Sequence, residues 1–355
     1  MLTTAVIDNI LATIPQRTIG VLGDLFLDRY LDLDAALTEP SIETGLDAYQ
    51  VVSVRSYPGA AGTVINNLVA LGVGRIVPIG MVGEDGEGFE LQQALRKMAS
   101  VDLAHLVMTS ERRTPTYTKP MLNKAGELPR ELNRLDIKNR QPLPGDVEAK
   151  ILERLSANWP AFDVLLVLDQ VSEPECGVVT AHVRERLAEL GAKDAAKIVI
   201  VDSRERIGLF HNAWLKPNER ECVGAPQSPS AERGMAPPLA RRSGSETTLV
   251  EVLKAMARRA GRPVFCTRSE KGMLVVGSAQ TAAVEVPAYP VAGPIDSVGA
   301  GDSSSAAMAC ALASGANLVE AAAFGNLIAS ITIQQIGVTG TATPEQVRQR
   351  WRALP

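Results

Sequence analysis

Short apolar runs rich in β-branched residues recur along the chain and stop at small or polar residues. They are TIGVLG (18–23), RIVPIG (75–80), DVLLVL (163–168), KIVIVD (197–202) and PVFCT (263–267). Runs of this length closed by Gly, Asp or Thr predict buried strands. Between them apolar positions fall at helical spacing, in GTVINNLVALG, GFELQQALRKMAS, DVEAKILERLSANW and EPECGVVTAHVRERLAELG. The alternation predicts an α/β fold, a doubly wound, mostly parallel sheet with helices on both faces. At the start of the chain, Val6, Ile7, Ile10, Leu11 and Ile14 share one helical face. That stretch lacks the basic start and continuous apolar core of a secretory signal, and it predicts a cytoplasmic protein. No apolar run approaches the roughly 20 residues that span a bilayer.

Two stretches interrupt the alternation. Residues 28–57 and 112–136 carry YQVVSVRS and TPTYTKPML with no helix between them. They predict a small β lid on a main domain made of residues 1–27, 58–111 and 137–355. Such a sheet suits a cover over a site or a dimer surface, and a homodimer through the lid is expected. The second interruption, residues 224–246, is rich in Pro, Gly, Ser and Arg and predicts a flexible surface insertion.

Composition narrows the function. With 355 residues, 46% apolar and 21% charged, the chain has globular values that exclude wholesale disorder and a membrane protein. Its 36 basic and 40 acidic residues leave a net charge of −4, with no footprint for nucleic acid or an anionic membrane, so a small-molecule partner is expected. Cys176, Cys222, Cys266 and Cys310 are scattered singly, which predicts buried free thiols rather than a zinc site or disulfides.

In parallel sheets ligands bind beyond the carboxyl ends of the strands. Asp24, Asp28, Asp169 and Asp202 stand there. So does a distinctive loop, DSVGAGDSSS (296–305), which runs into a small-residue helix. Its glycines let backbone approach a ligand, and the helix start offers unsatisfied N–H groups and a positive dipole end, a combination that binds anions. Read alone, the loop is equally a tight connection with Asp302 capping the helix. It is not a Walker A loop, because no Gly-Lys-Ser/Thr follows. It also lacks the third Gly of the dinucleotide fingerprint, and Glu320 is better placed to form a capping box with Asn317 than to bind a ribose.

The rest of the chain carries a more specific signal. DSVGAGD resembles the Asp-Thr-x-Gly-Ala-Gly-Asp signature of the PfkB (ribokinase-like) carbohydrate kinases, with Ser297 where Thr is usual. GDLFLD (23–28), PGAAGTVINNLVALG (58–72), GMVGEDGEG (80–88), KPNERE (216–221) and TRSEKG (267–272) resemble the family's other motifs, in the same order. The wording of GDLFLDRY, TPTYTKP and VIVDSRERIGLF is most similar to the D-glycero-β-D-manno-heptose-7-phosphate kinase branch. The resemblance implies a ribokinase-like fold with a β lid and transfer of the γ-phosphate of ATP to a hydroxyl of a sugar or sugar phosphate.

It also implies roles. Asp302 would be the general base, and the N–H groups of Gly299, Ala300 and Gly301 an anion hole for the transferring phosphoryl. Asn218 and Glu221 match the Asn-x-x-Glu that positions Mg²⁺ through water, and an amide with a carboxylate suits that hard cation. Asp296 stands where the family holds a monovalent cation, possible here as K⁺. Asp202, Lys216, Thr267, Ser269 and Gly272, with Gly299 and Gly301, fall at ATP-binding positions. Asp24, Asp28, Gly59, Thr63, Asn67 and Asp169 fall at sugar-binding positions. Lys119, with Arg112 and Arg113 nearby, is a candidate for a substrate phosphate, or else a solvated basic strand edge.

Three departures bear on the substrate. Ala60 and Thr63 replace Gly and Asn of the second sugar-binding segment, and Ser269 replaces a nucleotide-loop Gly. They leave room for two alternatives, a ribokinase- or fructokinase-like enzyme for an unphosphorylated sugar, and a turnover-deficient binding protein on the same scaffold.

Overall fold

The computed structural model describes residues 2–224 and 246–354. Of the stretch singled out as an insertion, residues 225–245 lie outside the described residues. Nine strands form the main sheet: β1 (Thr18–Gly23), β4 (Arg75–Gly83), β5 (Leu106–Thr109), β9 (Val164–Asp169), β10 (Ile198–Ser203), β11 (Trp214–Leu215), β12 (Val264–Thr267), β13 (Met273–Val276) and β14 (Val284–Val286). Their order is β14-β13-β12-β11-β10-β9-β1-β4-β5. Pairing is parallel from β5 to β12 and antiparallel only where β13 and β14 close one edge.

Strand periodicity sends alternate side chains to opposite faces. In β9, Val164, Leu166 and Leu168 join one core, and Leu165 and Val167 the other. The first core is covered by helices Thr4–Thr13, Ala61–Leu71, Ala300–Ala313, Leu318–Thr332 and Pro344–Arg352, the second by Gly145–Asn158, Ala181–Lys193 and Glu246–Ala260. The five predicted strands all occur, with ends shifted by a few residues. The helix expected over EPECGVVTAHVRERLAELG starts only at Ala181, where the Thr180 hydroxyl accepts the Val183 N–H at 3.2 Å. Residues before that cap form a loop instead. All four cysteines are buried and free, and among the described residues no helix is long and apolar enough to cross a membrane.

A second, smaller sheet is built from β2 (Leu25–Pro40), β3 (Asp47–Ala60), β6 (Thr116–Asn123), β7 (Arg130–Glu131) and β8 (Leu135–Ile137). β2 pairs antiparallel with β3 and parallel with β6. The chain leaves the main sheet at Asp24, directly after β1, so this sheet springs from the carboxyl edge where ligands are expected.

Candidate active site

One side of the candidate site is built on the start of helix Ala300–Ala313. Gly299 precedes it with φ 79°, and a Cβ there would lie 2.7 Å from Thr339 Cγ2, so the turn requires glycine. The Ala300 N–H donates to Ser297 O at 3.2 Å, and the first bond of full helical span runs from Ser303 N–H to Gly299 O at 2.9 Å. The N–H groups of Gly301 and Asp302 precede that bond and have no carbonyl within the helix. Two expectations change. The Ala300 N–H closes the turn and is not open to an anion. Asp302 does not cap the helix: Gly299 holds the cap position, without a side-chain bond, and Asp302 lies in the first turn.

Around Asp302 the charges converge. Lys216 Nζ, buried, lies 2.9 Å from Asp202 Oδ2, and the Ser305 hydroxyl donates to the same oxygen at 3.1 Å. Burial would lower the Lys216 pKa, but Asp202 beside it, with Glu221 and Asp302, outweighs this and holds it above the ordinary value. Burial pushes the Asp302 carboxyl up to about 7; Asp202 adds to the rise, while Lys216 and Arg204 oppose it. A carboxyl poised near neutrality beside a helix start is suited to proton transfer.

The Asn218 N–H donates to Glu221 Oε2 at 2.8 Å, and the Glu221 N–H to Asn218 Oδ1 at 2.9 Å, a reciprocal cap at the start of helix Glu219–Gly224. Burial raises the Glu221 pKa and Asp202 adds to it. Among the described residues no group of three or more His, Cys, Asp or Glu could hold a metal by itself. The donors present are oxygens, and the carboxylates of Glu221 and Asp302 both titrate high beside Asp202. That set fits a hard cation held mainly by water and phosphate. The Thr267 N–H donates to Pro217 O at 2.9 Å, which sets the 267–272 loop beside Asn218. Within that loop the Gly272 N–H returns to Ser269 O at 3.0 Å, and Ser269 has φ 51°. Asp296 accepts the Val298 N–H at 3.0 Å and the Gly337 N–H at 3.2 Å, so both of its oxygens tie the loop to a neighbouring turn.

The side expected to take the sugar departs from expectation at several residues. Asp24 is buried and accepts N–H groups from Gln170 at 3.0 Å, Val171 at 3.2 Å and Val178 at 2.7 Å, which raises the 170–178 loop around it. Burial and then Asp169 push its pKa up to about 6. Asp169 accepts the Ser203 hydroxyl at 2.6 Å and a two-point Arg206 pair at 3.0 and 2.6 Å. Asp169 thus serves the frame, whereas Asp24, though held by three N–H groups, still lines the cavity between the two sheets. Arg112, buried, donates to the carbonyls of Gln141 (2.6 Å), Pro142 (3.2 Å) and Cys176 (2.7 Å), and Arg113 pairs with Asp85 and Glu87.

Asp28 is positioned by Gly59 on the paired strand, where a Cβ would come within 2.7 Å of Asp28 Oδ2. Lys119 Nζ lies 3.6 Å from Asp28 Oδ1, donates to the Tyr30 hydroxyl at 3.1 Å and stands over the Tyr30 ring at 4.8 Å. Lys119 is therefore the partner of Asp28. Thr63 is buried in helix Ala61–Leu71 and faces the 299 turn, its Cγ2 3.8 Å from where a Gly299 Cβ would stand. Asn67 donates to Thr63 O at 3.0 Å, while its Oδ1 is buried without a partner. Ala60 has φ 52°, a backbone that favours glycine. Sequence reasoning gave no role to Ser305, Tyr117, Arg134, Lys138 or Arg204, although Ser305 closes the DSVGAGDSSS loop, Tyr117 lies in TPTYTKP and Arg204 follows the end of β10.

Residues 30–346 match the pfkB family carbohydrate kinase. The chain belongs to that family. Its members are phosphotransferases that act on a sugar hydroxyl, with ATP as donor. Among curated relatives, the bifunctional protein HldE of Bradyrhizobium diazoefficiens is 30% identical over 347 residues, covering 96% of this chain and 64% of that protein. The bifunctional protein HldE of Trichlorobacter lovleyi is 29% identical over 329 residues, covering 92% and 61%. The chain thus spans somewhat under two thirds of the length of these relatives. Two solved structures share the fold. Arabidopsis thaliana ribokinase, complexed with ribose and ATP, superposes with TM-score 0.64 at 15% identity, over 94% of this chain and 98% of that one. Phosphofructokinase-2 from Escherichia coli, in complex with potassium, gives 0.66 at 17%, over 95% and 98%.

Proposed function

We propose that this pfkB-family chain is an ATP-dependent kinase of a heptose 7-phosphate or a closely similar sugar phosphate, with Asp302 as general base. The observation that carries the reading is the placement of the Asp302 carboxyl in the first turn of a helix whose N–H groups at Gly301 and Asp302 are open, and burial there pushes its pKa up to about 7. Asp302 accepts the proton of the attacking sugar hydroxyl, while those N–H groups stabilise charge on the phosphoryl in flight. Lys216, held by Asp202, supplies a fixed positive charge beside the same place. Asn218 and Glu221 are the residues that would orient Mg²⁺ and its waters, and that ion, when bound, neutralises phosphate charge. Asp28, with Lys119 fixed beside it, binds sugar hydroxyls, and Gly59, Thr63 and Asn67 shape that wall. Asp296 and the turn it holds are the place for a K⁺ ion. The second sheet acts as a lid, and Val51, Val52, Val54 and Leu135 leave an exposed apolar surface on it that suits a homodimer.

The heptose assignment draws on the HldE relatives and on the wording of the strand-end motifs. ADP release by the purified protein over a panel of sugars and sugar phosphates tests it. Turnover should be highest with heptose 7-phosphate. Binding of ATP and sugar without ADP release across the whole panel would replace this reading with that of a binding protein.

A further inference from the structure

Between the second sheet and the carboxyl edge of the main sheet lies a cavity of about 180 Å³. Tyr117, Arg134, Lys138, Glu173 and Arg204 are among its walls. The Arg134 guanidinium lies 4.2 Å over the Tyr117 ring and is gripped by both oxygens of Asp136 at 2.7 and 2.9 Å, so its plane is set. Lys138 stands 3.7 Å from Glu173, longer than a hydrogen bond, and Glu173 is shared with Arg140 at 3.8 Å. Arg204 is exposed, and among the described residues no carboxylate lies within ion-pair distance of it. The other acid of the wall, Asp24, is committed to three backbone N–H groups. Of the three cations, Arg204 is thus without a carboxylate partner among the described residues and Lys138 has only a distant, shared one.

We propose that this cavity, through Arg204 and Lys138 with Arg134 as a fixed third donor, receives a phosphate monoester already present on the acceptor sugar. The inference rests on the kinase reading above and moves phosphate recognition away from Lys119, Arg112 and Arg113, each of which has partners within the protein. Hydroxyls alone would not call for three cations in one partly enclosed space. A phosphate monoester brings close to two negative charges and three acceptor oxygens pointing in different directions. The three cations approach from different segments, the β7–β8 connection, the residue after β8 and the residue after β10, which suits a tetrahedral anion better than a planar carboxylate.

Calorimetric binding to the full chain, in the presence of a non-hydrolysable ATP analogue, tests the assignment with two ligands: heptose 7-phosphate and the same heptose without its phosphate. The wild-type protein should bind the phosphorylated ligand at least tenfold more tightly. In Arg204→Ala and Lys138→Ala that preference should shrink, and in the double variant fall to what Arg134 alone sustains, while analogue affinity stays within about twofold. Loss of one charge-assisted contact corresponds to roughly ten- to a hundredfold. A variant whose fold is lost would show altered analogue binding, and Arg204→Lys, which keeps the charge, should then restore part of the preference. Equal wild-type affinity for the two ligands, or an undiminished preference in the double variant, overturns the proposal. So does an Arg204→Ala variant that loses turnover equally with both acceptors, which would assign Arg204 to the phosphoryl in flight. Tight phosphate-dependent binding without ADP release would remove the kinase reading and leave the cavity assignment standing.

Discussion

On the side proposed to handle the phosphoryl group, Asp302, Asp202 and Lys216 form one coupled network, whereas on the proposed acceptor side each of three carboxylates is closed by partners of its own. Asp28 has Lys119, Asp169 has Arg206, Asp24 has three backbone N–H groups. The coupled arrangement holds a carboxyl near neutrality, as proton transfer requires. The paired arrangement holds shape: Asp24 and Asp169 cost little conformational freedom once buried and satisfied, and they fix the loops that line the cavity. On the proposed function, chemistry is concentrated in the first region and selectivity in the second.

The largest effect expected from breaking this contrast is at Asp302. Asp302→Asn should lower turnover by about 10² to 10⁴, with nucleotide affinity within a few fold, measured by ADP release. On the acceptor side the expected effect is smaller and falls on binding. Gly59→Ala drives a Cβ into Asp28 and should raise the KM for the sugar by about tenfold, leaving that for ATP unchanged. Equal changes in both constants would erase the distinction between the regions.

A pH profile sharpens it further. The base must be ionised, so kcat/KM should rise through about pH 7 and then level. Asp202→Asn removes the neighbouring negative charge that raises Asp302 and should move this limb to lower pH; a shift to higher pH would contradict the network. The same shift sets a stability slope. The folded-state pKa of Asp302 lies above its ordinary 3.8, so between that value and about 7 the folded chain binds the proton more tightly and stability falls as pH rises. Asp302→Asn should therefore melt higher than wild type at pH 8 and equally at pH 3. The smallest effect expected is backbone relief. Ala60→Gly and Ser269→Gly, at φ 52° and 51°, should each stabilise the fold by about 0.5–1 kcal/mol in denaturant titration, the left-handed cost exceeding the added freedom of glycine.

Both of those positions were already visible as departures from a family glycine, but for another reason. Read from sequence, Ala60 and Ser269 bear on the substrate and the alternatives to it; in the structure the backbone itself sits where glycine is favoured. The helix expected before Ala181 failed because periodicity does not report a loop pinned by a distant carboxylate, here Asp24. The capping box of Asn317 and Glu320 was legible because it is local: the Asn317 side chain accepts the Glu320 N–H at 3.0 Å and the Glu320 side chain the Asn317 N–H at 2.9 Å.

The sequence by itself determined the alternating strands and helices, the order of the motifs and the glycine-framed start of helix Ala300–Ala313. All of these depend on neighbours in the chain, on hydrophobic period and turn chemistry. Only the tertiary structure decided which carboxylates are closed and which open, and that Lys119 belongs to Asp28 while Arg134, Lys138 and Arg204 meet at one cavity. Those outcomes depend on pairings between residues far apart in the chain, and residue type alone carries no record of which charge will meet which.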